Sequence, residues 1–235
     1  MNPLRVSLLA MVFGIMSLPA VAQVAPSPSE VAAYSGLHAA AHRGDVTELE
    51  KLARQSPASI HARDPYGRTP LHVATFARNT AAIQALMKLG ADHAALERDR
   101  YDAVTIAAVA DDVATLRLLL QLGASAKMVT SRYDGTALIA AAHLGHDGVV
   151  RQLVAAGAPL DHVNNLHWTA LIESIVLGDG GPRHQRSMQA LLDAGANVHL
   201  TDRQGLTPLQ LAQARGYEPM VRALKAKGAE RKPTP

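Results

Sequence analysis

The sequence predicts an all-α solenoid of about six stacked helix-turn-helix units joined by hairpin-like loops. Three observations predict it. First, Gly-Ala pairs recur at 90–91, 123–124, 157–158, 195–196 and 228–229, spaced by 33, 34, 38 and 33 residues. Second, Thr69, Asp102, Thr136 and Thr207 each stand 21 positions before the next such glycine, and Thr169 does so once five residues are taken out of the long spacing. Third, the chain is 48% hydrophobic but only 3% aromatic, which suits short helices stacked closely through small side chains. Self-similarity at a period of about 20–50 residues marks a repeat architecture.

Arg5 precedes an apolar run over 8–18, and Ala20-Val21-Ala22 follows with the small-x-small pattern of a signal-peptidase site. Residues 1–22 are therefore expected to be a signal peptide. The run is too short to span a bilayer, which takes about 20 residues. Export to the periplasm or outside the cell is expected, the Gram-negative periplasm being favoured, with no membrane insertion after cleavage. Residues 23–34, with Pro26 and Pro28, read as a flexible lead-in.

Ser35 extends the repeat frame backwards, so the units fall at 35–66, 67–100, 101–133, 134–166, 167–204 and 205–230, with a flexible tail at 231–235. Within each unit, the Thr or Asp at the first position can cap the first helix and satisfy its orphan N–H groups. Pro70 and Pro208 stand one residue on, where a missing N–H costs nothing. Ala39-Ala40, Ala107-Ala108 and Ala141-Ala142 keep the first helices thin. Gly44, Gly145, Gly178 and Gly216 are placed to turn the chain in a left-handed conformation. Apolar stripes such as Ile83/Leu86/Met87 and Leu116/Leu119/Leu120 then mark the second helices, and the Gly-Ala pairs end them. Each unit can bury its apolar face only against its neighbours. The late polar residues Arg222, Lys225 and Lys227 suit an end cover, and Ser56-Pro57 replaces Gly-Ala in an atypical first unit.

The run Thr69-Pro70-Leu71-His72-x-Ala74, followed by Leu86 and Gly90-Ala91, resembles the ankyrin repeat, and the resemblance covers about 35–230. The stretch 168–182 is similar to that of a group of exported bacterial ankyrin proteins with a lengthened penultimate unit. The resemblance implies that His38 and His72 hydrogen-bond within the scaffold.

Little points to chemistry. There is no cysteine, so neither a disulfide framework nor a thiolate site is possible. Eleven histidines invite a metal reading, but no His-Glu-x-x-His or EF-hand pattern accompanies them. Gly178-Asp179-Gly180-Gly181 lacks the Lys-Ser/Thr of a phosphate loop. Glu173, Asp179 and His184 could form an acid–base cluster, but no nucleophile motif joins them. The net charge of +3 comes without a basic block, which is only weak support for nucleic acid or an anionic surface, and the expected export argues against nucleic acid. A non-enzyme without cofactor or metal is expected.

Binding is the expected work, because a solenoid offers an extended concave surface. Four residues past the Thr slot stand Ala39, Val73, Ile106, Ala140, Glu173 and Leu211; three further on stand His42, Phe76, Val109, His143, Val176 and Ala214. These rows are read as an apolar concave face, with Glu173 as its polar break. Tyr66, Tyr101, Tyr133 and Trp168 read as one aromatic ladder along the loops, flanked by Arg68, Arg98, Arg100 and Arg132. Aromatics of this kind anchor interfaces. The candidate protein-binding residues are Tyr66, Phe76, Tyr101, Tyr133, His143, Trp168, Glu173 and Asp179, in a monomer with a periplasmic protein partner. The alternative is a peptide, cell-wall fragment or small ligand held near the five-residue insertion of unit five.

Overall fold

The computed structural model describes residues 25–230. The expected signal peptide and the tail at 231–235 lie outside the described residues. Six helical hairpins follow one another, as the repeat frame requires. They are α2 (Gly36–Arg43) with α3 (Val46–Gln55), α4 (Pro70–Phe76) with α5 (Thr80–Lys88), α6 (Ala103–Val109) with α7 (Val113–Gln121), α8 (Ala137–His143) with α9 (Asp147–Ala155), α10 (Ala170–Val176) with α11 (Pro182–Asp193), and α12 (Pro208–Ala214) with α13 (Glu218–Ala226). First helices pack on first helices and second on second along the array.

The lead-in departs from expectation. Pro28–Ala33 forms a short helix, α1. Ser27 Oγ accepts from the N–H of Glu30, and the Glu30 carboxylate accepts from the N–H of Ser27. That reciprocal pair is a capping box, and Pro28 sits at the first helical position, where proline starts a helix rather than breaking one.

The cap position behaves as the frame predicts in five units. Thr69, Asp102, Thr136, Thr169 and Thr207 each accept the N–H three residues on, whereas Ser35 makes no such bond. Ala40, Ala74, Ala108, Ala141 and Ala212 are fully buried in the first helices. Leu49, Ile83, Leu86, Leu116, Leu119, Leu153, Leu191 and Leu224 do the same in the second. One core cluster therefore runs the length of the solenoid, and a buried leucine contributes roughly 1.5–3 kcal/mol.

The turn between the two helices is less uniform than the glycines suggest. Gly44, Gly145 and Gly216 are left-handed as expected, but Arg78 and Asp111 adopt the same conformation at the matching position of units two and three. Gly178 is not left-handed; Gly180 is instead. The insertion lengthens the connection, and α11 has 12 residues against 9 in α9. One loop closes as a short ladder, with Val129 opposite Thr136 and Thr130 opposite Gly135. In unit one, a 3-10 turn over Pro57–His61 stands where the other units have Gly-Ala.

Candidate functional site

The loops are held by a feature that escaped the sequence reading. One side-chain oxygen at the base of each loop accepts two backbone N–H groups, two and four residues on. Asp64 takes Tyr66 and Arg68 at 2.8 Å. Glu97 takes Asp99 and Tyr101 at 2.9 and 3.1 Å. Ser131 takes Tyr133 and Gly135 at 3.2 and 3.3 Å. Asn164 takes Leu166 and Trp168 at 3.0 Å, and Asp202 takes Gln204 and Leu206 at 2.9 and 2.8 Å. These are local Asx-type turns. Their common frame with the Gly-Ala pairs is the signal that could have found them; their four different residue types hid it.

That frame splits the aromatic ladder. Tyr66 and Tyr133 stand two residues past their acceptor, at the loop tips, and are 36% and 42% exposed. Tyr101 and Trp168 stand four past theirs, at the loop bases, and are half-buried. There are thus two alternating registers rather than one ladder. The tips are tied across units: the N–H of Arg98 donates to the Tyr66 carbonyl at 2.9 Å and that of Asn165 to Tyr133 at 3.0 Å.

The flanking arginines are not a free basic surface. Arg100 pairs with Asp134, Arg132 with Asp99, and Arg98 donates to the Pro65 carbonyl. Arg68 is buried, paired with Glu30 at 3.4 Å and Asp64 at 3.7 Å. Its guanidinium lies 4.4 Å over the Tyr66 ring and 5.7 Å from that of Phe76. These groups line a cleft of about 330 Å³ with Glu30 at its edge. A hydrogen bond from the Tyr66 phenol, then the N–H of Ser27 and the nearby Arg68, hold the Glu30 carboxyl down at about 2. The docked α1 thereby belongs to the same surface.

The concave rows divide. Val73 and Ile106, read as solvent-facing, are fully buried, and Glu173 is 5% exposed. A thin first helix turns that position into the space between units. The row three residues on stays partly open at His42, Phe76, Val109 and His143, while Val176 is buried and Ala214 exposed. Leu144 and Leu177, next to this row, are exposed.

Glu173 is therefore buried between units rather than solvent-facing. Asn164 Nδ2 donates to its Oε1 at 2.8 Å, and His143 Nδ1 lies 3.4 Å from its Oε2. Through Asn164 it sets the loop that carries Trp168. Asp179 is exposed in the insertion, where it accepts from the Gly181 N–H and from His184 Nδ1, both at 2.7 Å. Those two bonds, in that order, lower its carboxyl pKa. The structure pairs Glu173 with His143 and Asp179 with His184, so the expected cluster of Glu173, Asp179 and His184 does not form.

Other histidines are struts. His38 Nε2 donates to the Arg68 carbonyl at 2.9 Å, His146 Nδ1 to Ala108 at 3.0 Å and His162 Nε2 to Asp134 at 2.6 Å. His72 accepts the Thr69 N–H at Nδ1 and donates through Nε2 to Ala95. Burial pushes its pKa down to about 4, against the raising effect of its carbonyl partners. Among the described residues no three His, Asp or Glu side chains converge to hold a metal ion, and no helix is long and apolar enough to cross a membrane.

Stacked helical hairpins with projecting loops and a continuous core define a repeat scaffold of the binding class. Models of ankyrin repeats match residues 37–87 and 104–202. An ankyrin repeat protein of Escherichia coli K12, YahD, is 36% identical over 191 residues, spanning 81% of this chain and 94% of that protein. The crystal structure of an ankyrin repeat domain from Acinetobacter baumannii superposes with a TM-score of 0.76 at 43% identity, covering 82% of this chain and 97% of that one. The ankyrin repeat domain of Bcl-3 superposes at 0.74 with 28% identity, covering 83% and 87%. The chain belongs to the ankyrin-repeat family, whose domains are non-catalytic scaffolds typical of protein–protein interaction.

Proposed function

We propose that this chain is an exported, monomeric ankyrin-repeat protein that holds a periplasmic protein partner against its concave face and loop tips. One observation carries the reading: a row across the first helices of units two, three and four stays partly open while, Ala140 apart, the rest of each of those helices is buried. Phe76, Val109 and His143 lie in that row, with Leu144 and Leu177 beside it. Tyr66 and Tyr133 stand exposed at the loop tips, and Tyr101 and Trp168 half-buried at the loop bases. Export rests on the sequence pattern of residues 1–22, and the lengthened unit five is the likeness to exported bacterial ankyrin proteins.

The test is cross-linked capture from the native periplasm with wild type, Phe76→Ala and Tyr133→Ala. Truncating an interface anchor costs about 2 kcal/mol or more, so capture of one discrete protein should fall by more than about tenfold while melting is unchanged. Equal capture by all three would sink the concave-face reading.

A second reading has its own observation. Beside the insertion, α11 and α13 leave an open cleft of about 320 Å³ lined by Pro182, Arg186, Met188 and Pro219. A peptide, cell-wall fragment or small ligand would fit there. Ligand-induced shifts confined to these residues, and lost in Arg186→Ala, are the expected result.

A further inference from the structure

Neighbouring units are tied by a repeated strut at the start of the second helix. In unit two, Asn79 Nδ2 donates to the His42 carbonyl of unit one at 2.6 Å. It packs so tightly on Gly44 that a Cβ there would meet it at 2.4 Å. In unit five, once the five inserted residues are passed, His184 fills this place. Its Nε2 lies 2.9 Å from the His143 carbonyl of unit four. A Cβ on Gly145 would meet its ring at 3.0 Å, and one on Gly178 at 2.8 Å. The side chain is 12% exposed.

His184 differs from Asn79 in its second partner. Its Nδ1 lies 2.7 Å from Asp179 Oδ1. A carbonyl and a carboxylate only accept, and a neutral imidazole has a single N–H to give. Both bonds exist together only when both ring nitrogens carry hydrogen. His72 shows the contrast: one nitrogen accepts an N–H and the other donates, so the neutral ring satisfies it.

We propose that the insertion of unit five is a protonation-controlled latch, closed when His184 is an imidazolium and loosened when that ring is neutral. The segment it holds joins three units. Tyr217 OH, from unit six, donates to the Gly178 carbonyl at 2.9 Å and its ring packs on Gly180. Arg183 reaches Asp111 of unit three. The titratable and charged groups around His184 are Asp179, Arg183 and Arg186 on its own segment, His143 paired with Glu173, His146 and Asp147 on unit four, and Tyr217 on unit six. Arg183 and Arg186 are already engaged by Asp147. Asp179 is the carboxylate bonded directly to the His184 ring. The neutral ring must turn a lone pair on either the carboxylate or the carbonyl, and one bond becomes a repulsion. Histidine is the side chain that makes this change within about pH 5–8.

The experiment uses the chain expected after signal cleavage, residues 23–235, over pH 5 to 8.5. Nitrogen NMR of the His184 ring should show both nitrogens protonated in the closed form. Amide exchange protection over 178–186 should drop about tenfold once the ring is neutral, as expected for one charge-assisted bond. His184→Asn copies the unit-two strut and should leave protection independent of pH. Asp179→Asn can turn its amide N–H to Nδ1 of the neutral ring, so protection should persist at high pH without unfolding the array. A neutral His184 ring at pH 5, or protection in wild type that does not change with pH, overturns the latch.

Discussion

His143 Nδ1 and Glu173 Oε2 lie 3.4 Å apart across the junction of units four and five, on the first helices of the two units. The other oxygen of Glu173 holds Asn164, which holds the backbone of Leu166 and Trp168. A buried carboxylate on one helix thus governs a loop that carries the chain's one tryptophan.

Removing that carboxylate should be read in the loop. Glu173→Ala leaves Asn164 Nδ2 without its buried partner, at a cost of about 1–3 kcal/mol. The melting temperature should fall, and Trp168 emission should shift to longer wavelength as the loop base opens. Glu173→Gln, which can still accept from Asn164, should recover most of both. Unchanged fluorescence in Glu173→Ala would show that the loop is set by its backbone alone.

His72 gives the array an acid weakness with a defined window. Its pKa falls from 6.5 to about 4 on folding, so the folded state favours the neutral ring. The stability it contributes is present above pH 6.5 and is lost as the pH falls towards 4. The shift corresponds to about 3 kcal/mol. Unit six uses glutamine at the same place, where the Thr207 N–H donates to Gln210 Oε1 at 2.9 Å. His72→Gln should keep the capping box, lose about 1 kcal/mol at neutral pH for the missing bond to Ala95, and flatten stability between pH 6.5 and 4. Denaturant melts across that range check it.

Much of the fold was legible because it rests on spacing. The Gly-Ala frame located six hairpins, and the Thr slot located five caps, since both depend on one backbone geometry repeated. The site was less legible for two physical reasons. Position along a helix does not fix exposure when the helix is only seven residues long: Val73 and Ile106 are enclosed by the next unit, three residues from the open Phe76 and Val109. Function at the loop base needs only an oxygen, which Asp64, Glu97, Ser131, Asn164 and Asp202 supply with different side chains. Charge misled for a related reason. Arg68 and Arg132 look like surface cations in sequence, yet their partners come from outside their own units.

The strut between units also exposes a weak junction. Asn79, His146, His184 and Tyr217 all donate to a carbonyl of the preceding unit. Asp112 stands at the same place in unit three, where a carboxylate has no proton to give. Its Oδ1 caps the Thr115 N–H at 3.0 Å, but its Oδ2 is buried without a hydrogen-bond partner. The tie runs the other way instead: Arg78 Nη2 reaches forward to the Ala110 carbonyl at 2.9 Å, and its Nε lies 3.7 Å from that same Asp112 Oδ2, an ion pair without a hydrogen bond. Asp112→Asn keeps the helix cap and supplies the missing donor. It also gives up an ion pair to a mostly exposed Arg78, worth at most about 1 kcal/mol. Relief of the buried, unpartnered oxygen is worth about 1–3 kcal/mol, so the substitution should stabilise the array. For a chain of this size about 1 kcal/mol raises the melting temperature by about 2–4 °C. Amide protection at the junction of units two and three should rise with it. A lower melting temperature in Asp112→Asn would mean that the Arg78 charge already compensates Oδ2 and decides how firmly those two units are joined.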